Sequence, residues 1–190
     1  MIAYKKKYFL LIESIRDIKL RNIKKYGKFV IIYRNNKKIE NFQSLLNFRN
    51  CCRLKKIDFF VANNVKLAMY LKSDGIYISS FNKDLNTLKL KNFNLQIIGS
   101  AHNHKEIFLK VKQGCNYILL SKLFLVDYKI NELFLGITKF NLISSIYEKR
   151  LIPLGGIKFS NLNKLRCVNS DGFALLSEIK KKPAIIDRLF

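Results

Sequence analysis

The chain has 190 residues with 49% hydrophobic content, enough apolar material for one core and little for two, so a single domain over 1–190 is expected. Lysine and arginine total 36 against 13 acidic residues, a formal charge of +23 that favours anionic ligands. The basic residues are scattered, with no run longer than Lys5-Lys6-Lys7 or Lys180-Lys181-Lys182, and no apolar stretch nears the roughly 18 residues of a membrane helix, so neither a concentrated polyanion patch nor a membrane span is expected.

The first apolar run is YFLLI at 8–12 and the second FVIIY at 29–33. Spaced apolar residues over 41–54 predict a helix, followed by IDFFV at 57–61, a second helical pattern over 64–72 and GIYIS at 75–79. LQIIG at 95–99 leads into a helix over 103–113, where Ile107, Phe108 and Val111 form one stripe and Gly114 supplies the stop. NYILL at 116–120, a helix over 138–149, LIPLG at 151–155, a helix over 160–167 and DGFALL at 171–176 complete the series.

Runs of this length, apolar on both faces and rich in Ile, Val, Phe and Tyr, fit parallel strands covered on both sides, and parallel pairing demands crossover helices. Eight such strands alternating with helices predict an α/β fold, a compact (β/α)8 TIM barrel of the phosphate-binding type. The chain is short beside a typical barrel of about 250 residues, so loops and several helices must be abbreviated. A doubly wound open sheet is the alternative.

Cys51, Cys52, Cys115 and Cys167 make no C-x-x-C pair and no zinc spacing, and read as reduced, mostly buried thiols of a cytoplasmic protein. No small-residue cleavage site follows the short run at 8–12, so no export signal is expected.

Chemistry is most legible at Leu154-Gly155-Gly156-Ile157, a strand end running into a glycine pair and then a helix start. Glycine lets backbone amides approach an anion, and a helix start presents unpaired N–H groups. A plain tight turn would use the same residues. The eighth run ends Leu175-Leu176-Ser177, and in barrels phosphate commonly sits after strands seven and eight.

The segments FFVANNVKLAMYLKSDGIYIS, IIGSAHNHKE, GCNYILLSKLFLVDYK, IPLGGI and SDGFALLSEI, in that order, resemble the thiamine phosphate synthase and thiazole tautomerase family. The likeness spans about residues 57–179, with a looser match over 8–34. It implies a barrel that joins a hydroxymethylpyrimidine diphosphate to a thiazole phosphate and releases pyrophosphate with Mg2+ assistance. Loss of pyrophosphate leaves a pyrimidine cation that the thiazole nitrogen captures.

Carried onto this chain, the resemblance implies that Gly155, Gly156 and Ser177 cup the thiazole phosphate while Arg34, Ser100 and Lys129 act as catalytic residues facing the diphosphate. Several family residues are replaced. Ile32 and Asn36 stand for the Gln and Lys flanking the matching Arg34, with Lys37 a one-residue shift away. Asn63 stands where a metal-binding carboxylate is expected, and Asn82 or Asp84 is what the second position offers, so Asn63 and Asp84 are weak metal candidates. Val126-Asp127-Tyr128-Lys129 keeps only the Lys of a Thr-x-Thr-Lys loop.

His102 falls at a helix start, where capping is commoner than general-base work. Thiazole phosphate tautomerisation, which needs no metal, is an alternative activity, although Lys122 occupies the region of its expected His. A non-catalytic phosphate-binding homologue is another. Nucleic-acid binding, from the charge and the Tyr and Phe residues, is the alternative of a different class, opposed by the burial expected of those aromatics.

Overall fold

In the computed structural model, residues 5–23, 27–35, 40–126, 133–147 and 150–181 are described. Each short apolar run is a strand: β1 (Lys7–Ile12), β2 (Phe29–Tyr33), β3 (Asp58–Ala62), β4 (Gly75–Ile78), β5 (Gln96–Ala101), β6 (Tyr117–Ser121), β7 (Leu151–Leu154) and β8 (Gly172–Leu175). All neighbours pair in parallel in chain order, and Lys7, Tyr8, Phe9 and Leu10 of β1 register with Gly172, Phe173, Ala174 and Leu175 of β8, closing the barrel. That closure excludes the open-sheet alternative, which would leave two unpaired edges.

The strands are apolar on both faces because each face meets a different core. Phe9, Leu11, Ile32, Tyr77, Ile98 and Leu119 fill the barrel interior. Their alternating neighbours, among them Tyr8, Leu10, Ile31, Ile97 and Ile118, pack outward under the helices.

The α-helices are α1 (Phe42–Leu54), α2 (Val65–Tyr70), α3 (His104–Lys112), α4 (Gly136–Ile146) and α5 (Ser177–Lys181). Asparagines start three of them: Asn41 Oδ1 accepts from Gln43 N at 2.8 Å, Asn64 Oδ1 from Leu67 N at 2.9 Å and Asn103 Oδ1 from Glu106 N at 3.0 Å. The helix expected over 160–167 is instead a 3-10 helix, Phe159–Cys167. Its apolar residues Phe159, Leu162 and Leu165 recur every third position, the period at which 3-10 side chains align. A further 3-10 segment, Leu85–Phe93, fills the β4 to β5 crossover, where no element was expected.

Part of the positive charge is structural and lies at the strand N-terminal end. Lys5 Nζ donates to Val168 O at 2.6 Å and Ser170 O at 2.8 Å. Arg49, on α1, pairs with Asp74 at 3.0 Å, and Asp74 in turn accepts from Phe59 N at 2.7 Å. Cys52 and Cys115 are buried, whereas Cys51 and Cys167 are exposed, so burial covers half of the thiols expected to be mostly inside.

Candidate functional site

At the C-terminal ends of the strands opens a cavity of about 620 Å³. Period-2 geometry decides which side chains reach it: two residues beyond the interior Ile32, Tyr77, Ile98 and Leu119 stand Arg34, Ser79, Ser100 and Ser121, and all four line the cavity. The apolar interior thus forms the floor and a ring of polar side chains forms the wall.

Five of the expected site residues meet there: Arg34, Ser100, Gly155, Gly156 and Ser177. Arg34 is half-buried and Ser100 is buried at 6% exposure, beside the Tyr77 hydroxyl. Burial pushes the Tyr77 phenol above its ordinary value, opposed by a hydrogen bond with Ser100 and by the Arg34 charge. Tyr77, Ser100 and Arg34 therefore act on one another across β4, β5 and β2.

Gly155 and Gly156 adopt φ of +90° and +68°, a region in which a side chain costs energy. A Cβ on Gly156 would lie 2.3 Å from Phe124 O, because the chain after β6 folds against this turn. Leu123 N donates to Leu154 O at 2.9 Å and Phe124 N to Gly155 O at 3.1 Å. The parallel pairing of Leu154 with Ala174 turns the Gly155 N–H toward β8.

The remaining expected residues lie elsewhere. Asn63 has φ of 53°; its N–H donates to Tyr77 O at 2.8 Å, and its Oδ1 accepts from Ser79 N at 3.0 Å, so its amide ties the end of β3 to the end of β4. Asp84 accepts from Asn86 N at 2.8 Å and Nδ2 at 2.9 Å, immediately ahead of the 3-10 segment Leu85–Phe93. Neither is among the described residues lining the cavity. Lys129, Lys37 and Asn36 lie outside the described residues. Ile32 is fully buried in the barrel interior, an apolar floor where the family places a Gln.

His102 lines the cavity with its Nδ1 2.9 Å from Ser121 Oγ, while its backbone N donates to Glu106 Oε2 at 2.8 Å at the start of α3. Lining residues that had not been singled out include Tyr77, Ser79, Ser121 and Lys139. The first three follow from strand period once strand ends are known. Lys139 is set by how α4 leans over the mouth, which no local pattern encodes.

The sequence profile described as thiamine monophosphate synthase matches residues 17–179, most of the chain. The chain belongs to the thiamine monophosphate synthase family. Among curated relatives, the thiamine-phosphate synthase of Clostridioides difficile is 25% identical over 146 residues, covering 75% of this chain and 68% of that protein. That of Prochlorococcus marinus strain AS9601 is 28% identical over 141 residues, 74% of this chain and 40% of its own length. The matched stretch thus spans less than half of the second relative.

Among solved structures, a thiamine phosphate pyrophosphorylase from Pyrococcus furiosus superposes with a TM-score of 0.72 at 18% identity, covering 100% of both chains. A 3-keto-L-gulonate-6-phosphate decarboxylase from Vibrio cholerae superposes with a TM-score of 0.62 at 12% identity, covering 98% and 99%. These likenesses show the barrel fold. Among the described residues, no helix is long and apolar enough to cross a membrane.

The thiamine monophosphate synthase family implies Mg2+, a hard cation that prefers carboxylate oxygens in octahedral geometry. The described residues do not fit it. None of those lining the cavity is Asp or Glu, and no cluster of three metal-binding side chains occurs among them. Asn63 offers a neutral amide oxygen that already accepts a backbone N–H.

Proposed function

We propose that this chain performs the synthase reaction of its family: joining a hydroxymethylpyrimidine diphosphate to a thiazole phosphate to give thiamine phosphate and pyrophosphate. The observation that carries this reading is the meeting of Arg34, Ser100, Gly155, Gly156 and Ser177 around one cavity at the strand C-terminal ends of a barrel of this family.

In this reading the N–H groups of Gly155 and Gly156 and the Ser177 hydroxyl hold the thiazole phosphate, as glycine turns after strands seven and eight do in phosphate-binding barrels. Ser100, next to Tyr77, binds the pyrimidine or its diphosphate, and Arg34 and Lys129 face the leaving group. The bond between the pyrimidine methylene carbon and the diphosphate oxygen breaks, and the oxygen keeps the electron pair. The thiazole nitrogen lone pair then forms the new C–N bond. Cations that meet the charge developing on the diphosphate lower this barrier, and binding both reactants in one cavity removes much of the orientational cost.

The chain is incubated with both phosphorylated precursors, with and without Mg2+, and thiamine phosphate is measured by mass. Product in either condition supports the reading, and no product in both with wild-type protein contradicts it. Thiazole phosphate tautomerisation is the second reading, favoured by the lack of carboxylates among the described lining residues; it predicts isomerisation of the thiazole phosphate without the pyrimidine partner. Nucleic-acid binding draws less support: Tyr8, Phe29 and Phe173 pack together inside the core, although the expected burial of the aromatics fails at Phe42, Tyr70, Phe81, Phe93, Phe108 and Phe134, which are exposed.

A further inference from the structure

Beyond the residues already given roles, two side chains at the strand ends form an acid–base pair. His102 follows β5 and Ser121 ends β6, both line the cavity, and His102 Nδ1 lies 2.9 Å from Ser121 Oγ. The strand register sets them opposite one another, since Ala101 pairs with Leu120. The backbone of His102 is held separately: its N–H donates to Glu106 Oε2 at 2.8 Å, and Asn103 and Glu106 bond each other at the start of α3. Ring and backbone are both anchored, and with Nδ1 engaged by Ser121 a ligand in the cavity meets the ring at Nε2.

The pair stands between the two halves of the reaction. His102 lies two residues beyond Ser100 along the same chain direction, about 7 Å nearer the mouth. On the other side, Ser121 pairs with Leu154, the residue before Gly155. A pyrimidine held at Ser100 and a thiazole phosphate held at Gly155 and Gly156 would therefore flank the imidazole.

We propose that His102 is a catalytic residue of the condensation, the general acid that protonates the departing diphosphate, and that Ser121 positions its ring. The inference rests on the synthase reading. The imidazolium Nδ1–H donates to Ser121 Oγ while Nε2–H faces the diphosphate oxygen. As the methylene C–O bond breaks, that oxygen takes the electron pair and then the Nε2 proton, leaving a neutral imidazole whose Nδ1–H is still held by Ser121. The thiazole nitrogen closes the C–N bond, and the imidazole recovers a proton from water. Among the described residues, the charged and titratable groups around it are Glu106 on α3, Lys122 after Ser121, and Arg34, Lys139 and Tyr77 on the cavity wall.

The test follows thiamine phosphate formation across pH for wild type, His102→Gln, Ser121→Ala and His104→Gln. The His102 side chain is exposed, so its replacement spares the core, and glutamine keeps a hydrogen-bonding amide that transfers no proton. Wild-type kcat/KM is expected to fall as rising pH removes the His102 proton. His102→Gln lowers kcat about 100-fold at the acidic end, leaves KM within about threefold and abolishes that fall. Ser121→Ala lowers kcat about tenfold, the loss of one orienting hydrogen bond, and keeps the fall. His104→Gln, exposed on α3 and not among the described lining residues, matches wild type.

An unchanged kcat in His102→Gln, a defect confined to KM, or a fall with pH that persists in that variant overturns the role of His102 and leaves the synthase reading standing. Full activity in Ser121→Ala removes the positioning role. No thiamine phosphate from wild type removes the synthase reading, and the general acid with it.

Discussion

Gly156 shows how one residue serves the turn, the packing and the site together. Its φ of +68° disfavours any side chain, and a Cβ there would press on the Phe124 carbonyl at 2.3 Å. Gly156→Ala is therefore expected to cost about 1–2 kcal/mol for the left-handed backbone alone, with more from displacing the chain after β6. Urea unfolding of the variant checks this; an unchanged midpoint would contradict it. Cys52 gives a second prediction at this scale. Burial pushes its thiol up to about 12 from an ordinary 9, so above pH 9 the unfolded chain loses a proton that the folded chain keeps. The stability this group contributes is complete below pH 9 and is lost as pH rises from 9 toward about 12. Cys52→Ala should flatten the alkaline decline, by up to about 1.4 kcal/mol per pH unit, in urea midpoints measured across that window. An identical decline in both proteins would remove the claim. Arg34 and Ser100 were legible in the sequence through the family resemblance, and the barrel places each two residues past an interior strand position. Tyr77 was not, since within GIYIS it reads as one more core aromatic, and only closure of the barrel shows its hydroxyl beneath Ser100.

At the scale of elements, α3 holds the β4 to β5 connection that forms one wall of the cavity. Lys110 is fully buried, and its Nζ donates to Ser79 O at 2.8 Å, Asn82 O at 2.7 Å and Gln113 Oε1 at 2.9 Å. Gln113 Nε2 adds bonds to Asn82 O at 3.1 Å and Asp84 O at 2.8 Å. Asp84 thus belongs to this tether. Lys110→Met keeps the length and apolar stem but leaves Ser79 O without this donor, a loss of about 1–3 kcal/mol. Hydrogen exchange should rise over residues 79–84 and stay unchanged in β7 and β8. Uniform change across the barrel would show global destabilisation in place of a local tether. Five helical segments were legible from apolar spacing, but the period of three in Phe159, Leu162 and Leu165 gave a 3-10 helix where an α-helix was expected. Leu85–Phe93 escaped because Leu85, Leu88 and Phe93 are exposed, so its pattern does not mark one buried face.

Across the whole molecule, the eight apolar runs specify the barrel because each is apolar on both faces, a property that only an inner core and an outer helical layer together can satisfy. The charge of +23 is spread over structural roles such as Lys5 and Arg49, cavity residues such as Lys139, and exposed positions such as Lys112. Like-charge repulsion opposes the folded state, so raising sodium chloride from about 50 to about 500 mM should raise the melting temperature by a few degrees. A fall over that range would show that attractive pairs outweigh the excess. The composition announced an anion preference but not its address, because address depends on which strand ends converge.

The most direct measurement is calorimetric titration of wild-type protein with thiazole phosphate at about 150 mM salt, where nonspecific attraction to the basic surface is screened. The account predicts saturable binding of one molecule per chain, competed by inorganic phosphate and weakened at least about tenfold in Gly156→Ala under conditions where that variant is folded. Absence of heat, or several weak equivalents bound equally by both proteins, would contradict a phosphate cup between β7 and β8 and with it the synthase reading of this barrel.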